Sequence, residues 1–151
     1  MEIKEILTPK NMLITLGTSV IIMSLWGMTH GDEWAEIGWG EGNVLAHDEA
    51  YEEMWALHLM PLGVMAIITA LIVTGKELAK IAMFAPIVLV NMLGGMLILT
   101  SDNGYGGTPT GVSAALAGLM MLATILTCAS GFMHKGDTAV SYTHLTLPTI
   151  G

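Results

Sequence analysis

The sequence predicts an all-α membrane protein with four transmembrane helices in an up-down-up-down bundle. Apolar residues make up 53% of the chain and charged residues only 12%, and the charges fall between long apolar runs rather than within them. Each apolar run has about 20 residues, which is the length that a helix needs to cross the hydrocarbon core of a bilayer. We therefore predict one membrane domain over residues 1–139, with spans at about 11–29, 54–74, 78–100 and 112–133.

The second and third runs are joined by a very short charged turn containing Lys76 and Glu77. This spacing predicts an antiparallel helical hairpin against which the other two spans pack. Asp48 is the predicted N-cap of the second helix, because carboxylates are favourable at the positive end of a helix. Pro61 removes one backbone hydrogen bond inside that helix and predicts a kink.

Residues 30–54, between the first and second spans, hold eight acidic residues and no lysine. Glycines in this segment are expected to break regular structure; they are Gly31, Gly38, Gly40 and Gly42. The sequence therefore predicts an acidic extracytoplasmic loop between helices 1 and 2.

The charge distribution predicts the orientation. With four spans, all five lysines lie on one side of the membrane; they are Lys4, Lys10, Lys76, Lys80 and Lys135. Because lysine is enriched in cytoplasmic loops, we expect both termini in the cytoplasm and a prokaryotic inner membrane as the location. The tryptophans cluster near the opposite interface, where indole rings prefer to lie; they are Trp26, Trp34, Trp39 and Trp55.

The two ends of the chain are interpreted separately from the bundle. The first apolar run is longer than a typical signal-peptide core and no A-x-A-like cleavage site follows it, so we expect an uncleaved anchor. Residues 140–151 read VSYTHLTLPTIG, which looks like translated sequencing-adapter sequence. We interpret this tail as non-native or disordered, with the natural C-terminus lost after Lys135, and exclude it from the fold.

Composition excludes several classes of function. The net charge is −8 and the chain has no arginine, so no basic patch exists to bind nucleic acid. Cys128 is the single cysteine, which excludes an internal disulfide and a cysteine-based zinc site. No nucleophile and base stand out as a pair, so we do not expect an enzyme. The predicted partners are the lipid bilayer and either copies of this chain or other membrane proteins.

The outer segment contains the candidate metal ligands His30, His47, His58 and Asp48. Imidazole and carboxylate groups bind zinc and other divalent ions. The segment has no H-x-x-x-H, H-E-x-x-H or EF-hand spacing, however, and the alternative interpretation is a solvated acidic loop.

His58 and Asn91 are the candidate polar pair inside the membrane. An ionisable residue in a span is a functional hypothesis, because burying it is costly unless a partner is supplied. His58 lies one turn before Pro61, and Asn91 on the third span comes to a similar depth, so we predict a hydrogen bond between them. The alternative is that His58 reaches interfacial water. His58 and His134 fall at opposite membrane faces and cannot ligate one haem, and no cofactor is predicted.

The fourth span carries small residues four apart, at Gly111 and Ala115 and at Ala114 and Gly118. This spacing lets helices approach closely. In span count and loop length the layout resembles several families of small four-span proteins, the DoxX-like proteins among them, but no motif carries over from them.

Three functions follow from these features. The first is a non-enzymatic accessory or oligomer-forming subunit. The second is a small transporter or channel-like oligomer with a polar path at His58 and Asn91. The third is a membrane metal-handling or redox component that uses the outer-face histidines.

Overall fold

The computed structural model describes residues 3–137, apart from the side chains of Met96, Leu97 and Leu99. In this part of the chain the regular secondary structure is α-helical, with no strands. The predicted tail at 140–151 lies outside the described residues. The helices are α1 (Ile3–Ile6), α2 (Pro9–Gly27), α3 (Gly31–Trp39), α4 (Asp48–Ile72), α5 (Gly75–Met83), α6 (Ala85–Thr100) and α7 (Gly111–His134).

Several of these helices have the length and composition of membrane spans. Three candidates qualify alone, at Asp48–Ile72, Gly75–Gly95 and Gly111–His134. A fourth qualifies if α2 and α3 are counted together, although these two helices are bent by 89° relative to each other. The prediction of an all-helical protein with several apolar helices, compatible with a multi-pass membrane protein, is therefore confirmed at this coarse level.

The most extensive helix contact joins α2 to α4, and it includes two glycines. A Cβ on Gly17 would lie 2.6 Å from the carbonyl oxygen of Gly63, and a Cβ on Gly63 would lie 2.6 Å from that of Gly17. Two turns further along, the buried Ser24 hydroxyl donates a hydrogen bond of 2.7 Å to the carbonyl of Ala56. Small residues and cross-helix hydrogen bonds are what hold helices together in a bilayer, where lipid removes most of the hydrophobic driving force.

The predicted hairpin of the second and third spans does not form as a close pair. α5 packs against α7, where a Cβ on Gly131 would lie 2.5 Å from the carbonyl oxygen of Ala79. α4 packs against α2 and α3, and a cleft separates it from α6. The physical reason is the placement of small residues: Gly63 faces α2, whereas Gly94 and Gly95 of α6 have nothing within 4 Å of a Cβ.

Proline has different effects in the two central spans. The single helix predicted over 78–100 is two helices, α5 and α6, that meet at Phe84. Pro86 occupies the first turn of α6, where its missing N–H has no helical partner to lose. α4 runs continuously from Asp48 to Ile72 with Pro61 inside it.

The acidic segment is more ordered than predicted. Gly31–Trp39 forms α3, so irregular backbone is confined to residues 40–47. The glycine prediction was wrong for Gly31 and Gly38, which lie within this helix. Gly40 ends the helix with a φ of +85°, and Gly42 lies in the irregular segment, as predicted. α3 packs against the outer part of α4.

The small residues of α7 that were predicted to allow close helix approach face away from the rest of the chain. Gly111 and Gly118 have nothing within 4 Å of a Cβ, and Ala115 is exposed. The α7 residues that pack inside the chain lie on another face and include Ala123, Thr127 and Gly131. The small-residue spacing identified a face of α7, and no helix of this chain covers it at Gly111 or Gly118.

Candidate functional site

Two cavities lie end to end in the cleft between α4 and α6. The outer cavity, of about 510 Å³, is next to the acidic segment, and the inner cavity, of about 420 Å³, lies deeper along the helices. Met92 of α6 lines both cavities, so the two cavities are neighbours along the cleft. Along α4 the cleft extends from Tyr51 to Thr69, about 27 Å at the rise of an α-helix. Each cavity has the volume of a small-molecule site.

The outer cavity combines aromatic rings with hydrogen-bonding groups. Its polar side chains come from Glu52, Asn91, Thr100 and Asn103, and its aromatic side chains from Trp39, Tyr51, Trp55 and Tyr105. Glu52 is the acidic residue among them, and it is only 8% exposed. A carboxylate that is withdrawn from water but open to a cavity is available to bind a ligand.

Tyr105 holds the Glu52 carboxylate in position. Its hydroxyl donates a hydrogen bond of 2.6 Å to Oε1 of Glu52. Burial raises the pKa of the Tyr105 phenol, and the hydrogen bond to Glu52 and the negative charge of Glu52 raise it further. Tyr105 therefore stays protonated through the physiological range and remains the donor in this pair.

The loop between α6 and α7 is docked on α3, and this contact positions Tyr105. The tyrosine ring packs against Gly38, where a side chain would collide with it. It also meets the ring of Trp39 edge-on at 5.0 Å between centroids. The Gly106 N–H donates a hydrogen bond of 2.7 Å to the carbonyl of Gly38. The acidic segment and this loop thus form the wall of the outer cavity together.

The inner cavity is lined almost entirely by apolar side chains. They come from α2, α4, α5, α6 and α7 and include Leu16, Leu62, Met65, Val88, Leu89 and Met120. Of its two threonines, Thr124 donates its hydroxyl to the carbonyl of Met120 at 2.8 Å. The cleft therefore changes from polar and aromatic near the outer end of α4 to apolar along the rest of its length.

The four predicted metal ligands do not converge. The His30 ring stacks on Trp26 with 3.6 Å between centroids. Nε2 of His47 lies 3.6 Å from Oδ1 of Asp48, while the Asp48 Oδ2 accepts the N–H of Leu45 at 2.7 Å. Within residues 3–137, no group of three or more histidine, cysteine, aspartate or glutamate side chains is arranged to hold a metal ion.

His58 and Asn91 are not brought together either. Nδ1 of His58 lies 2.5 Å from the carbonyl oxygen of Met54 on its own helix, and the His58 side chain is exposed. Asn91 lines the outer cavity instead. The predicted hydrogen bond between them depended on a close hairpin, and the cleft between α4 and α6 removes that condition.

Sequence reasoning missed Glu52 and Tyr105. Glu52 is one of eight acids in a segment that reads as a solvated loop, and Tyr105 lies in a glycine-rich turn 53 residues later. The signal available in the sequence was the depth of Glu52, a full turn inside a helix that begins at Asp48.

The function of the site is inferred from its geometry alone, because no comparison with known proteins found a match. No protein-family model matches the chain, and no similar curated protein or solved structure was found.

Proposed function

We propose that this chain is a non-enzymatic accessory subunit of the membrane that holds one amphiphilic membrane molecule in the cleft between α4 and α6. The observation that carries this proposal is the order of the two neighbouring cavities: a polar, aromatic outer cavity and an apolar inner cavity share Met92 in their linings. Such a gradient matches a molecule with a polar head at the interface and an apolar tail in the hydrocarbon region.

The outer end of the cleft suits a head group. Glu52, Asn91 and Asn103 provide hydrogen-bonding groups at one end of the cleft, and the rings of Trp39 and Trp55 flank them. Tryptophan is enriched at the membrane interface, because its ring tolerates both apolar surroundings and water. A head group bound there would lie at the level of the lipid head groups.

The rest of the cleft suits an apolar chain. Leu62, Met65 and Val88 line the inner cavity and are between 43% and 57% exposed, so the cavity is open along the helices. A molecule already in the bilayer would enter sideways without passing through water. This supports a role in holding or presenting a membrane molecule.

Assembly with other chains belongs to the same proposal. The outward face of α7, with Gly111, Ala115 and Gly118, carries no charged residue and has open space at both glycines. A helix of another subunit would approach closely on such a face. The lysine-bearing end is proposed to be cytoplasmic in a prokaryotic inner membrane, which leaves the outer cavity near the extracytoplasmic surface.

The proposal is tested by blocking the junction of the two cavities. Met92→Trp enlarges the one side chain that lines both cavities, whereas Met121→Trp makes the same change at an exposed position of α7 that lines neither cavity. Oleyl alcohol is titrated into the detergent-solubilised full chain, and adducts are counted by native mass spectrometry.

We expect one oleyl alcohol per chain for the unmodified protein and for Met121→Trp, and a loss of about tenfold or more in binding for Met92→Trp. Unsaturable binding to the unmodified protein, or equal binding by both variants, would overturn the proposal.

A further inference from the structure

We infer that the cleft selects amphiphiles with a cationic ammonium head and rejects those with an anionic head. This inference rests on the proposed function, since it names the class of molecule that the same cleft takes. It is carried by the chemistry around Glu52 in the outer cavity.

The first support is the Glu52 carboxylate itself. Its Oε1 accepts the Tyr105 hydroxyl at 2.6 Å, and a carboxylate has acceptor capacity for further donors on its two oxygens. The side chain belongs to the lining of the outer cavity. An ammonium group donates up to three hydrogen bonds and carries the opposite charge, so it would satisfy the remaining capacity with charge-assisted bonds.

The second support is the set of aromatic rings around that carboxylate. Trp39, Tyr51, Trp55 and Tyr105 all line the outer cavity. A cation over the face of an aromatic ring is attracted by its negative π face, and the attraction increases when water is excluded. Aromatic rings around a carboxylate are a setting that favours ammonium groups over neutral ones.

The third support is the sign of the surrounding charge. Asp48 lies one turn before Glu52 on α4 and is itself buried, and Glu49 and Glu53 belong to the same two turns. The nearest lysines in the sequence are Lys10 and Lys76, outside the acidic segment. An anionic head placed beside Glu52 would therefore meet like charge, and nothing in the cavity lining offers a positive charge to compensate.

Three probes with one tail separate the head group from the rest of the molecule. Oleylamine, oleyl alcohol and oleate share an 18-carbon chain and differ in carrying a cationic, neutral or anionic head at neutral pH. Each is titrated into the full chain in the same detergent, with adducts counted by native mass spectrometry. Comparing the three probes in identical micelles removes differences that come from the tail.

The charge on Glu52 is tested by Glu52→Gln, which keeps the size and an acceptor oxygen of the side chain. Glu36→Gln is the matched control, because Glu36 is an exposed acid of α3 at the same end of the molecule and does not line the cleft. Any general effect of losing one negative charge at this end appears in both variants.

For the unmodified chain we expect oleylamine to bind at least about tenfold more tightly than oleyl alcohol, and oleate to bind more weakly than either. We expect Glu52→Gln to remove most of the advantage of oleylamine and to leave oleyl alcohol binding within about threefold, with Glu36→Gln unchanged.

The outcomes separate the two proposals. If oleyl alcohol binds one per chain but oleate binds as well as oleylamine, the head-group inference is wrong and the proposed function stands. Binding of oleylamine that is unchanged in Glu52→Gln also overturns the inference. If none of the probes binds with one-to-one stoichiometry, both the proposed function and the inference fail. The comparison among heads uses the unmodified protein, so it gives a result even if Glu52→Gln does not fold.

Discussion

Glu52 is withdrawn from water by its surroundings, whereas most acids of the same segment are not. By composition it is one of thirteen acids in an acidic chain. In the fold it is nearly buried, it accepts the hydroxyl of Tyr105, and it faces an aromatic cavity. Its neighbours on α4, such as Glu49, stay exposed. The difference is the docking of the loop around Tyr105 on α3, which covers Glu52 and leaves Glu49 in water.

Asp137 provides a residue-scale prediction about pH. The hydrogen bond from Lys4, followed by the one from His134, lowers the pKa of the Asp137 carboxyl. Both nitrogens lie 2.7 Å from its oxygens. Because the folded pKa is below the unfolded value of about 3.9, the stabilising contact is fully present above that value. It is lost as the pH falls through the lowered folded pKa.

We therefore expect the contact between α1 and the end of α7 to persist from pH 7 to about pH 4 and to be lost in more acidic solution. Amide NMR shifts of residues 3–6 would follow it, and Asp137→Asn should give the acid-state shifts already at pH 7. Asp102→Asn is the control, an exposed acid in the loop at the other end. A transition centred above pH 4.5, or unchanged shifts in Asp137→Asn, would contradict the expectation.

At the scale of the helices, small residues decide which apolar surfaces meet. α2 and α4 approach each other because neither Gly17 nor Gly63 carries a side chain. α6 has no comparable contact at Gly94 or Gly95, and the space beside it is the cleft. All the long helices are apolar, so hydropathy alone does not distinguish these pairings.

Two identical substitutions should therefore have opposite effects on stability. Gly63→Ala places a Cβ 2.6 Å from a backbone oxygen of α2, which cannot move without shifting the helix, and we expect a loss of about 1–3 kcal/mol. Gly118→Ala enters open space, and the better helix propensity of alanine should stabilise the chain by up to about 1 kcal/mol. Unfolding in mixed detergent micelles measures both.

The comparison is made on the monomer in dilute detergent, so that contacts with other chains do not contribute. If Gly63→Ala and Gly118→Ala lowered the free energy of unfolding equally, the close contact between α2 and α4 at Gly63 would not be the cause of the expected difference.

At the scale of the whole molecule, the charged segments lie at opposite ends. Lys4 pairs with Asp137, and α5, which carries Lys76 and Lys80, packs against α7 near Gly131. The other end holds α3 and the loop after α6, joined to each other by the Gly106 to Gly38 hydrogen bond. This separation of charge is the basis for the proposed orientation.

The orientation is testable by cysteine labelling with a membrane-impermeant maleimide. In a Cys128→Ser background, Glu36→Cys should be labelled on intact spheroplasts. Lys76→Cys should be labelled only after permeabilisation, because lysine-bearing loops are retained in the cytoplasm. Both positions are exposed in the structure, so accessibility to water is matched. Labelling of Lys76→Cys on intact spheroplasts would reverse the proposed orientation.

The sequence by itself determined the class of the protein. Long apolar runs predicted membrane helices, because span length is a local property. α4 begins at Asp48 as predicted, although His47 and not Asp48 is the N-cap. The segregation of lysines from the acidic segment was equally local, and it predicted an orientation that labelling must test. The absence of arginine and the net charge of −8 led to the prediction that the chain does not bind nucleic acid, which no observation here tests.

Only the tertiary structure decided which helices pair and where a cavity lies. It separated α6 from α4, placed Asn91 in the outer cavity away from His58, and joined Glu52 to Tyr105 across 53 residues. These outcomes depend on contacts at a few small residues such as Gly17 and Gly38, where a single Cβ would prevent the approach. Apolar helices in lipid have many nearly equivalent pairings, so close packing, rather than hydropathy, selects one.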